Sequence, residues 1–493
     1  MKRKLTLGLA LVLACSCLGA CSGTYDIKDV SVPVYDETNG MRFLAYSGPQ
    51  IANWNGTQKN VSTITDEHMQ KFVDAGFTGI ISIHEGAPSG RGASVYETIQ
   101  MHSAKAEADA LKVLEQAEKF NVEYYVRDWP FYEFYNYWTE SNGSINTREE
   151  YERVLRKMFD ENNKYVYSSA YAGNFGRDEP GADQFEGLKW QIEIYQEMMQ
   201  ERGVEGEFLL NMLPNYANTK SYGGERGEPI SYVEYMKRYF EQLAPLLGYV
   251  CYDYYPFLRE TRTGSLLKTS YVSNLELVAN HCKNTGTELR TFVQTGGDWT
   301  GLRDLTSVGD FRFQVYMNMA FGSRVMTYYE YGTFNDQTDG DFGLLDLQDG
   351  SYNYTYEMAK VVNNEVHAFE DAYLHYNYDG VMCFSGLSEE EININFYAVA
   401  NKLQSHPRIA NVDVTHDAVM TSFKDAEGND AFMLVNYTDP YYDLDNTVTV
   451  QFKDAKALLM YRFGEKHVVP LKKDGTYTFE LYPGEGRFII PLK

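Results

Sequence analysis

The sequence predicts a (β/α)8 barrel over residues 41–375, followed by an all-β sandwich over residues 376–493. Three patterns indicate this order: eight segments rich in apolar, β-branched and aromatic residues, helical segments between them, and a change after about His375 to short alternating strands. Eight strand-then-helix units are typical of a barrel that carries its functional residues at the carboxyl ends of its strands.

The predicted barrel strands follow one another along the first three quarters of the chain. In order they are Met41–Ser47, Gly76–His84, Val122–Asp128, Ala172–Glu179, Glu207–Leu213, Tyr249–Phe257, Leu289–Thr295 and Arg324–Tyr331. A doubly wound open sheet is the alternative arrangement of such units. No glycine-rich phosphate loop follows the first strand, so nothing favours that alternative.

Helix signals separate these strands. The segment TDEHMQKFVDAGF has Thr65 as its N-cap, TREEYERVLRKMF begins with the capping box Thr147 and Glu150, and SYVEYMKRYFEQL begins with Ser231 and Glu234. In the last part of the chain, the runs NTVTVQF, ALLMYRF, TYTFEL and GRFIIPL alternate between apolar and polar residues with no helical segment between them. This pattern predicts the sandwich domain.

The first residues have the pattern of a secretory signal. Basic residues 2–4 precede the apolar run Leu5–Leu13, and the sequence Leu-Gly-Ala-Cys ends at Cys21. The apolar run is shorter than the ~20 residues that a bilayer crossing needs. The Leu-Gly-Ala-Cys ending resembles a bacterial lipobox, so we expect a signal peptide of residues 1–20, lipidation of Cys21 and a polar tether of residues 21–40. Such a lipoprotein is anchored to the outer membrane of the cell envelope.

Charge and cysteine content limit the partners. The chain has 44 Lys and Arg against 69 Asp and Glu, a formal net charge of −25. Nucleic acid and polyanionic glycans need a basic surface, so a neutral carbohydrate is the better candidate partner. Cys251, Cys282 and Cys383 are too few and too widely spaced for a disulfide framework or a zinc site. The histidines show no metal-ligand spacing and no nucleotide-binding loop is present, so we expect neither metal nor cofactor.

The candidate site residues lie at or just after the predicted strand ends. Most notable is NFGRDEPGADQF, in which two adjacent acids close the fourth strand. Polar and aromatic residues at the ends of the third to eighth strands are Arg127, Asp128, Asp178, Glu179, Asn211, Asn215, Asp253, Tyr255, Gln294 and Glu330. If the barrel forms, all of them lie towards one rim.

Aromatic residues are concentrated in the same loops. Trp54, Trp129, Trp138 and Trp299 fall in or next to the loops after the first, third and seventh strands, and only Trp190 lies on a predicted helix. Flat rings at the mouth of a site suit the apolar faces of pyranose rings. We therefore expect Trp54, Trp129 and Trp299 to contact a sugar.

Two stretches resemble a known family. The sequence GRDEP after the fourth strand and the run GLLDLQDGSYNYTYEMAKVVNNEV before the last helix are similar to the clan of glycoside hydrolases that includes bacterial β-galactosidases. The resemblance covers about residues 41–375. In that clan the fourth strand ends in Asn-Glu-Pro, so the resemblance implies that Glu179 is the acid/base. It also implies that Asp178 occupies the position of the asparagine that contacts the sugar 2-hydroxyl.

The chain departs from that clan at the seventh strand. Where the clan has its nucleophilic glutamate, RTFVQTGGDW offers Gln294 and then Asp298. Glycoside hydrolysis needs a second carboxyl group. Glu330 is the first candidate partner of Glu179 and Asp253 the second.

A third arrangement has Asp178 as nucleophile and Asp253 as acid, which resembles the clan of α-galactosidases and α-glucosidases. Arg127, Asp128, Asn211, Asn215 and Gln294 are candidate hydrogen-bonding partners of the substrate.

The leading hypothesis is a lipid-anchored glycoside hydrolase that acts on a neutral oligo- or polysaccharide with two carboxyl groups. The alternative is a non-catalytic glycan-binding lipoprotein on a barrel scaffold, which the glutamine on the seventh strand supports. The two acids also have a structural interpretation, because Asp178 and Glu179 precede a helix whose amino end favours negative charge.

Overall fold

A parallel eight-stranded barrel forms the first domain. The structure, a computed structural model, describes residues 23–52, 60–82, 95–128, 131, 147–160, 163–260, 264–297, 301–333, 343–386 and 394–493. The barrel strands are β1 Arg42–Tyr46, β2 Gly79–Ile81, β3 Glu123–Val126, β4 Tyr171–Asp178, β5 Glu207–Asn211, β6 Tyr249–Tyr252, β9 Glu288–Gln294 and β10 Ser323–Tyr329. They are paired in the order β5-β4-β3-β2-β1-β10-β9-β6. The Met212 N–H donates to the Cys251 carbonyl at 2.8 Å and joins β5 to β6, so the predicted barrel is confirmed.

The sixth predicted strand is divided in the structure. β6 ends at Tyr252, and an antiparallel hairpin of β7 Phe257–Glu260 and β8 Gly264–Leu267 follows it. Pro256, between the two strands, has no N–H with which to continue a ladder. The hairpin therefore stands at the carboxyl end of the barrel.

Helices alternate with the barrel strands. Those described are α1 Asp66–Asp74, α2 Val95–Phe120, α3 Arg148–Phe159, α4 Phe185–Arg202, α5 Thr219–Gly223, α6 Tyr232–Gln242, α7 Ala244–Leu247, α8 Tyr271–Thr285, α9 Val308–Ala320, α10 Tyr354–His367, α11 Glu370–Leu374 and α12 Ile394–Tyr397. The predicted N-caps are confirmed, because the side chains of Thr65, Thr147 and Ser231 each accept a backbone N–H three residues on. None of the described helices is long and apolar enough to cross a membrane.

The second domain is the predicted sandwich. Its strands are β13 Asn377–Phe384, β14 Ile409–Val414, β15 Ala418–Lys424, β16 Asp430–Asn436, β17 Asn446–Phe452, β18 Ala457–Arg462, β19 Glu465–Pro470, β20 Thr476–Leu481 and β21 Gly486–Leu492, and two short strands, β11 Gly332–Thr333 and β12 Leu345–Asp346, precede them. Six strands pair as β13-β15-β16-β21-β18-β19 and three as β14-β17-β20. Phe432, Leu434, Val448 and Phe479 are fully buried in the core of this domain.

A buried arginine joins the two domains. Arg303 donates from Nη2 to Asp310 of α9 at 2.5 Å and to Asp439 of the sandwich domain at 2.9 Å. Its Nε donates to Ser265 of β8 at 2.5 Å. All four side chains are buried, so the hairpin, α9 and the sandwich domain are held together at one point.

The segment that the sequence predicts as a polar tether contacts both domains over residues 23–40. The Tyr25 N–H donates to the Leu471 carbonyl at 2.9 Å, and the hydroxyl groups of Tyr35 and Tyr376 are 2.9 Å apart. The Thr38 N–H donates to Asp371 at 2.8 Å. These hydrogen bonds and partly buried apolar side chains hold the described part of this segment against the folded protein.

Candidate active site

A cavity of about 460 Å³ opens at the carboxyl ends of the barrel strands. The described residues that line it are Tyr46, Asp178, Glu179, Asn211, Tyr216, Asp253, Tyr255, Leu258, Lys268, Phe292, Leu302 and Tyr329. Three of them are acids and five are aromatic. This is the composition expected of a site that holds an uncharged ligand by its apolar faces and presents carboxyl groups to it.

The three acids form one hydrogen-bonded cluster. The carboxyl groups of Glu179 and Asp253 share a hydrogen bond. Asn211 donates from Nδ2 to Asp178 at 3.0 Å and to Asp253 at 3.1 Å. The Tyr46 hydroxyl donates to Asp178 at 3.0 Å, and the Tyr216 hydroxyl to Asp253 at 3.4 Å. The acids thus come from the ends of β4 and β6, and the amide at the end of β5 bridges them.

The turn after β4 explains how two adjacent acids reach the same cavity. Successive side chains of a strand point to opposite faces. Glu179 departs from the strand with φ of +46°, in the left-handed region that few residues other than glycine adopt. Its N–H donates to the Asn211 carbonyl at 2.9 Å, and the Tyr235 hydroxyl holds the next carbonyl, of Pro180, at 2.7 Å. These bonds stabilise a turn that directs Glu179 and Asp178 into the cavity together.

Close packing after this turn requires glycine. A Cβ placed on Gly181 would lie 2.3 Å from the Cα of Gly224, which is closer than any real contact. Gly181 of GRDEPG therefore has a local role: it allows the turn that carries Glu179 to pack against the loop after α5.

Burial and mutual repulsion raise the pKa values of the acids. For Glu179 the largest cause is burial, followed by the negative charges of Asp253 and Asp178. Burial and the charge of Asp178 raise the pKa of Asp253, and hydrogen bonds from Asn211 and Glu179 oppose that rise. Burial also raises the pKa of Asp178, against the hydrogen bonds from Asn211 and Tyr46. The arrangement therefore keeps a proton on Glu179, which donates it to an ionised Asp253.

The structure does not bring Glu330 to this cluster. Glu330 follows β10, and its backbone carbonyl accepts a hydrogen bond from Thr295 at 3.0 Å. Burial alone raises the pKa of its carboxyl group to about 8. Glu330 is not among the described residues that line the cavity, and its charge does not contribute to the pKa of Glu179. The carboxyl group that contacts Glu179 is that of Asp253.

Two residues expected to bind substrate instead form hydrogen bonds within the protein. Gln294 donates from Nε2 to the carbonyls of Gly296 and Arg303, at 3.1 and 3.0 Å, and its Oε1 accepts the Phe257 N–H at 3.3 Å. Asp128 accepts the Tyr165 hydroxyl at 2.6 Å. Both side chains are fully buried, and neither lines the cavity. Gln294 therefore joins β9 to the hairpin and to the loop before α9.

The other predicted binding residues differ in how they relate to the cavity. Asn211 and Tyr255 line the cavity. The positive charge of Arg127 lowers the pKa of Asp178, so the two are electrostatically coupled. Asn215 accepts the Ser270 hydroxyl at 3.2 Å and does not line the cavity. The predicted residues Trp54, Trp129, Trp299 and Cys21 lie outside the described residues.

Several lining residues were not predicted from the sequence. Tyr46 closes β1 and Tyr329 closes β10, so the strand-end rule that found the acids also applied to them. Lys268 follows β8, and its Nζ lies 3.4 Å from the centre of the Tyr216 ring. No sequence pattern indicated Lys268, because the hairpin that positions it interrupts the regular alternation of barrel strands and helices. Across the described residues, no three His, Cys, Asp or Glu side chains are arranged to hold a metal ion.

Comparison with solved structures shows the fold. The chain is similar to a GH42 β-galactosidase from G. stearothermophilus, with a TM-score of 0.51, 8% identity, and coverage of 93% of this chain and 99% of that one. A β-galactosidase from Marinomonas ef1 matches with a TM-score of 0.44 and 11% identity over 67% of this chain. A GH51 arabinofuranosidase from Xanthomonas axonopodis pv. citri matches with a TM-score of 0.43 and 9% identity over 95% of this chain and 99% of that one.

The chain spans 60% of the length of the Marinomonas ef1 β-galactosidase. No protein-family model matches the chain, and no curated protein does. At these identities the likeness is one of fold: a barrel followed by a β domain.

Proposed function

We propose that the protein is a glycoside hydrolase that cleaves the O-glycosidic bonds of a neutral oligo- or polysaccharide, with Glu179 and Asp253 as its two carboxyl groups. The observation that carries the proposal is the hydrogen bond between these carboxyl groups in an aromatic cavity at the carboxyl ends of the barrel strands. One group holds a proton and the other is ionised, which is the pairing that glycosidic cleavage uses.

The two carboxyl groups have different roles in the reaction. Glu179 donates its proton to the glycosidic oxygen as the bond to the anomeric carbon breaks. The Asp253 carboxylate attacks that carbon and forms a glycosyl ester. Water then displaces Asp253, and the Glu179 carboxylate takes up one proton of that water, which restores both groups.

The contact between the carboxyl groups favours retention of configuration. Inverting enzymes separate their carboxyl groups by about 6.5–9.5 Å to leave room for a water, and retaining ones by about 5–5.5 Å. A direct hydrogen bond between Glu179 and Asp253 leaves no such room. Asp253 is thus better placed as a nucleophile than as a base acting through water.

The rest of the cavity suits a sugar. The rings of Tyr46, Tyr255, Phe292 and Tyr329 line it beside the acids. Aromatic faces bind the C–H faces of pyranose rings, and carboxylates and amides accept or donate hydrogen bonds to the hydroxyl groups. The fold that this chain shares with the GH42 β-galactosidase supports a β-galactoside as the first substrate to test.

The proposal is tested with aryl glycosides of differing leaving groups. We expect Glu179→Gln to abolish cleavage of oligosaccharides. With a dinitrophenyl glycoside, whose leaving group needs little protonation, the variant should keep the first step and most of kcat/KM, but its kcat should fall because glutamine cannot act as the base that releases the glycosyl ester. Asp253→Asn should abolish cleavage of both. Glu330→Gln should retain both activities. Loss of all activity in Glu330→Gln, with Asp253→Asn active, would show that Glu330 is the partner of Glu179.

A non-catalytic glycan-binding protein is the second candidate. Gln294 favours it, because the seventh barrel strand carries a buried scaffold amide in place of a carboxylate. In that case the wild type and Glu179→Gln bind oligosaccharides equally, and neither hydrolyses any glycoside of the panel.

We also propose that the protein is a lipoprotein of the bacterial cell envelope, anchored to the outer membrane through Cys21. The support is the signal-like sequence of residues 1–20 and its Leu-Gly-Ala-Cys ending. Palmitate labelling and membrane fractionation of the full chain test this. Cys21→Ala should abolish labelling and release the protein from the membrane fraction.

A further inference from the structure

The segment that follows the proposed lipidation site is held at one end of the sandwich domain. The Lys473 N–H donates to the Gly23 carbonyl at 3.0 Å, and the Tyr25 N–H donates to the Leu471 carbonyl at 2.9 Å, with an antiparallel bridge between the two bonds. The Tyr25 hydroxyl also donates to the Lys473 carbonyl at 3.1 Å. Residues 23–25 therefore pair with the turn between β19 and β20.

This pairing leaves little free chain between the proposed anchor and the folded protein. Cys21 precedes Gly23 by two residues in the sequence, and two residues of chain span at most about 7 Å. Further along, the side chains of Ile27, Val30 and Val32 pack against the core. An acylated cysteine at position 21 is therefore confined to the neighbourhood of this one turn.

The anchored end of the sandwich domain is the end farther from the catalytic cavity. β17 begins at Asn446, after the loop in which the Tyr442 hydroxyl donates to the Ser265 carbonyl of the hairpin at 2.8 Å. It ends at Phe452, whose N–H donates to the Gly475 carbonyl at 2.9 Å. The seven residues of β17 span about 20 Å. The contact with the hairpin and the anchored turn therefore lie at opposite ends of this domain.

Three turns make up the anchored end, which we call the anchor face. They follow β15, β17 and β19 and comprise residues 425–429, 453–456 and 471–475. Arg408 joins the first two, because its carbonyl accepts the Lys453 N–H at 2.8 Å and its Nε donates to Asp430 at 3.2 Å. Asp430 also accepts the Lys424 Nζ at 2.6 Å. These contacts place the end of β15 on the anchor face.

The barrel is oriented in the same sense as the sandwich domain. Near the start of β10, Arg324 donates from Nη2 to Asn377 at 3.0 Å, and Asn377 pairs with Lys424 at the end of β15. At the other end of β10, Tyr329 lines the catalytic cavity. The amino ends of the barrel strands and the anchor face therefore share one side of the molecule, and the cavity opens on the opposite side.

The anchor face carries positive charge beside Gly23. The turns after β17 and β19 have four exposed lysines, which are Lys453, Lys456, Lys472 and Lys473. The acids of these turns are engaged, since Asp454 pairs with Arg408 at 3.4 Å and Asp474 accepts the Thr476 hydroxyl at 2.7 Å. The turn after β15 is acidic instead, and the whole chain has a net charge of −25. Clustered lysines next to a lipid anchor attract anionic headgroups.

We infer that the anchor face lies against an anionic lipid surface and that the catalytic cavity opens away from it. This rests on the lipid anchor proposed above and goes beyond it, because it fixes the orientation of the protein on the membrane. Saccharides then reach Glu179 and Asp253 from the aqueous side. The substrates are therefore glycans in solution rather than glycolipids of the membrane that carries the protein.

The test measures which end of the protein is near the lipid. The lipidated protein is reconstituted into vesicles of phosphatidylethanolamine and phosphatidylglycerol that contain a lipid with a nitroxide headgroup. A fluorophore is attached to one introduced cysteine in a Cys383→Ser background, because Cys251 and Cys282 are buried. A nitroxide quenches only fluorophores close to it. We expect severalfold more quenching at Lys473→Cys than at Glu260→Cys, an exposed position of the hairpin.

Two further changes identify the cause of the orientation. Insertion of about ten glycine and serine residues between Ser22 and Gly23 creates a flexible tether and should reduce the difference between the two labelled positions. Lys472→Glu should weaken quenching of the label at Lys473→Cys. Its matched control, Lys466→Glu, changes an exposed lysine near the start of β19, at the other end of the strand, and should leave the quenching unchanged.

The remaining outcomes separate this inference from the proposed anchor. Equal quenching at the two positions, or more at Glu260→Cys, would overturn the inference and leave the anchor standing. A difference that neither the insertion nor Lys472→Glu reduces would also overturn it. Absence of palmitate on Cys21 would contradict the anchor, and the inference with it. Turnover of aryl glycosides on the same vesicles tests the proposed hydrolase separately.

Discussion

The amide of Asn211 controls the charge of the proposed nucleophile, and its removal should shift the pH dependence of the reaction. Its Nδ2 donates to Asp253 at 3.1 Å and to Asp178 at 3.0 Å. Asn211→Leu keeps the approximate size of the side chain and removes the donor. The backbone carbonyl that holds the Glu179 N–H remains.

The magnitude follows from the hydrogen bond to Asp253. A hydrogen bond to a charged group contributes about 1.5–3 kcal/mol, and one pKa unit corresponds to about 1.4 kcal/mol. Loss of the donor disfavours the ionised form of Asp253, whose pKa burial already raises. We therefore expect the pKa of Asp253 to rise by about 1–2 units in Asn211→Leu.

The assay is the pH profile of kcat/KM, which reports the ionisation of the free enzyme. The acidic limb follows the ionisation of Asp253 and should move to higher pH by about 1–2 units. The alkaline limb follows loss of the proton from Glu179, to which the Asn211 side chain does not bond, and should move less. Asn215→Ala removes a nearby amide that bonds Ser270, and should leave the acidic limb in place.

An unmoved acidic limb in Asn211→Leu would refute this reasoning, provided that the variant still turns over substrate. It would mean that the group which must ionise is not Asp253. A shift of the alkaline limb alone would instead exchange the roles of Glu179 and Asp253.

Three further predictions concern stability and domain coupling. Glu330 holds its proton in the folded protein up to about pH 8 and loses it near pH 4.5 when unfolded, so the free energy of unfolding should fall with rising pH between these values. In denaturant titrations, Glu330→Gln should flatten this slope by up to about 1.4 kcal/mol per pH unit. An unchanged slope would contradict the argument that burial raises the pKa of Glu330. Asp439→Asn removes one of the two carboxylates that pair with buried Arg303, while Asp310 remains. The change should cost about 1.5–3 kcal/mol of unfolding free energy and raise KM, because the hairpin that lines the cavity loosens. Glu365→Gln, which weakens another ion pair, should cost stability without changing KM. Gly181→Ala should lower both the free energy of unfolding and kcat, since the added Cβ would collide with neighbouring backbone. A variant with the unfolding free energy and kcat of the wild type would contradict the packing described for that turn.

Local chemistry made much of the fold predictable. The caps at Thr65, Thr147 and Ser231 act within one helical turn, so the sequence near them was enough. Each of the eight barrel strands was recognisable because a strand buried on both faces needs a continuous apolar run. The sixth was predicted too long, since the aromatic run Tyr249–Phe257 continues past the end of β6 into the hairpin.

The candidate site depended on contacts between distant parts of the chain. Sequence reasoning placed Glu330 and Asp253 at strand ends but could not rank them, because the end of a strand does not fix the direction of the side chain. Gln294 looked available for substrate, yet its partners belong to a hairpin and a loop whose positions only the folded chain defines. The adjacency of Asp178 and Glu179 became interpretable once the positive φ of Glu179 was known.

The most direct test of the central claim is rescue of alanine variants by azide, with an activated aryl glycoside that the wild type cleaves. Azide fits the space left by a removed carboxylate and attacks the sugar in its place. We predict that Asp253→Ala with azide yields the glycosyl azide of inverted configuration, and Glu179→Ala the azide of retained configuration. The inverted azide from Asp178→Ala or from Glu330→Ala, with no rescue of Asp253→Ala, would contradict the assignment of Asp253 as the nucleophile beside Glu179.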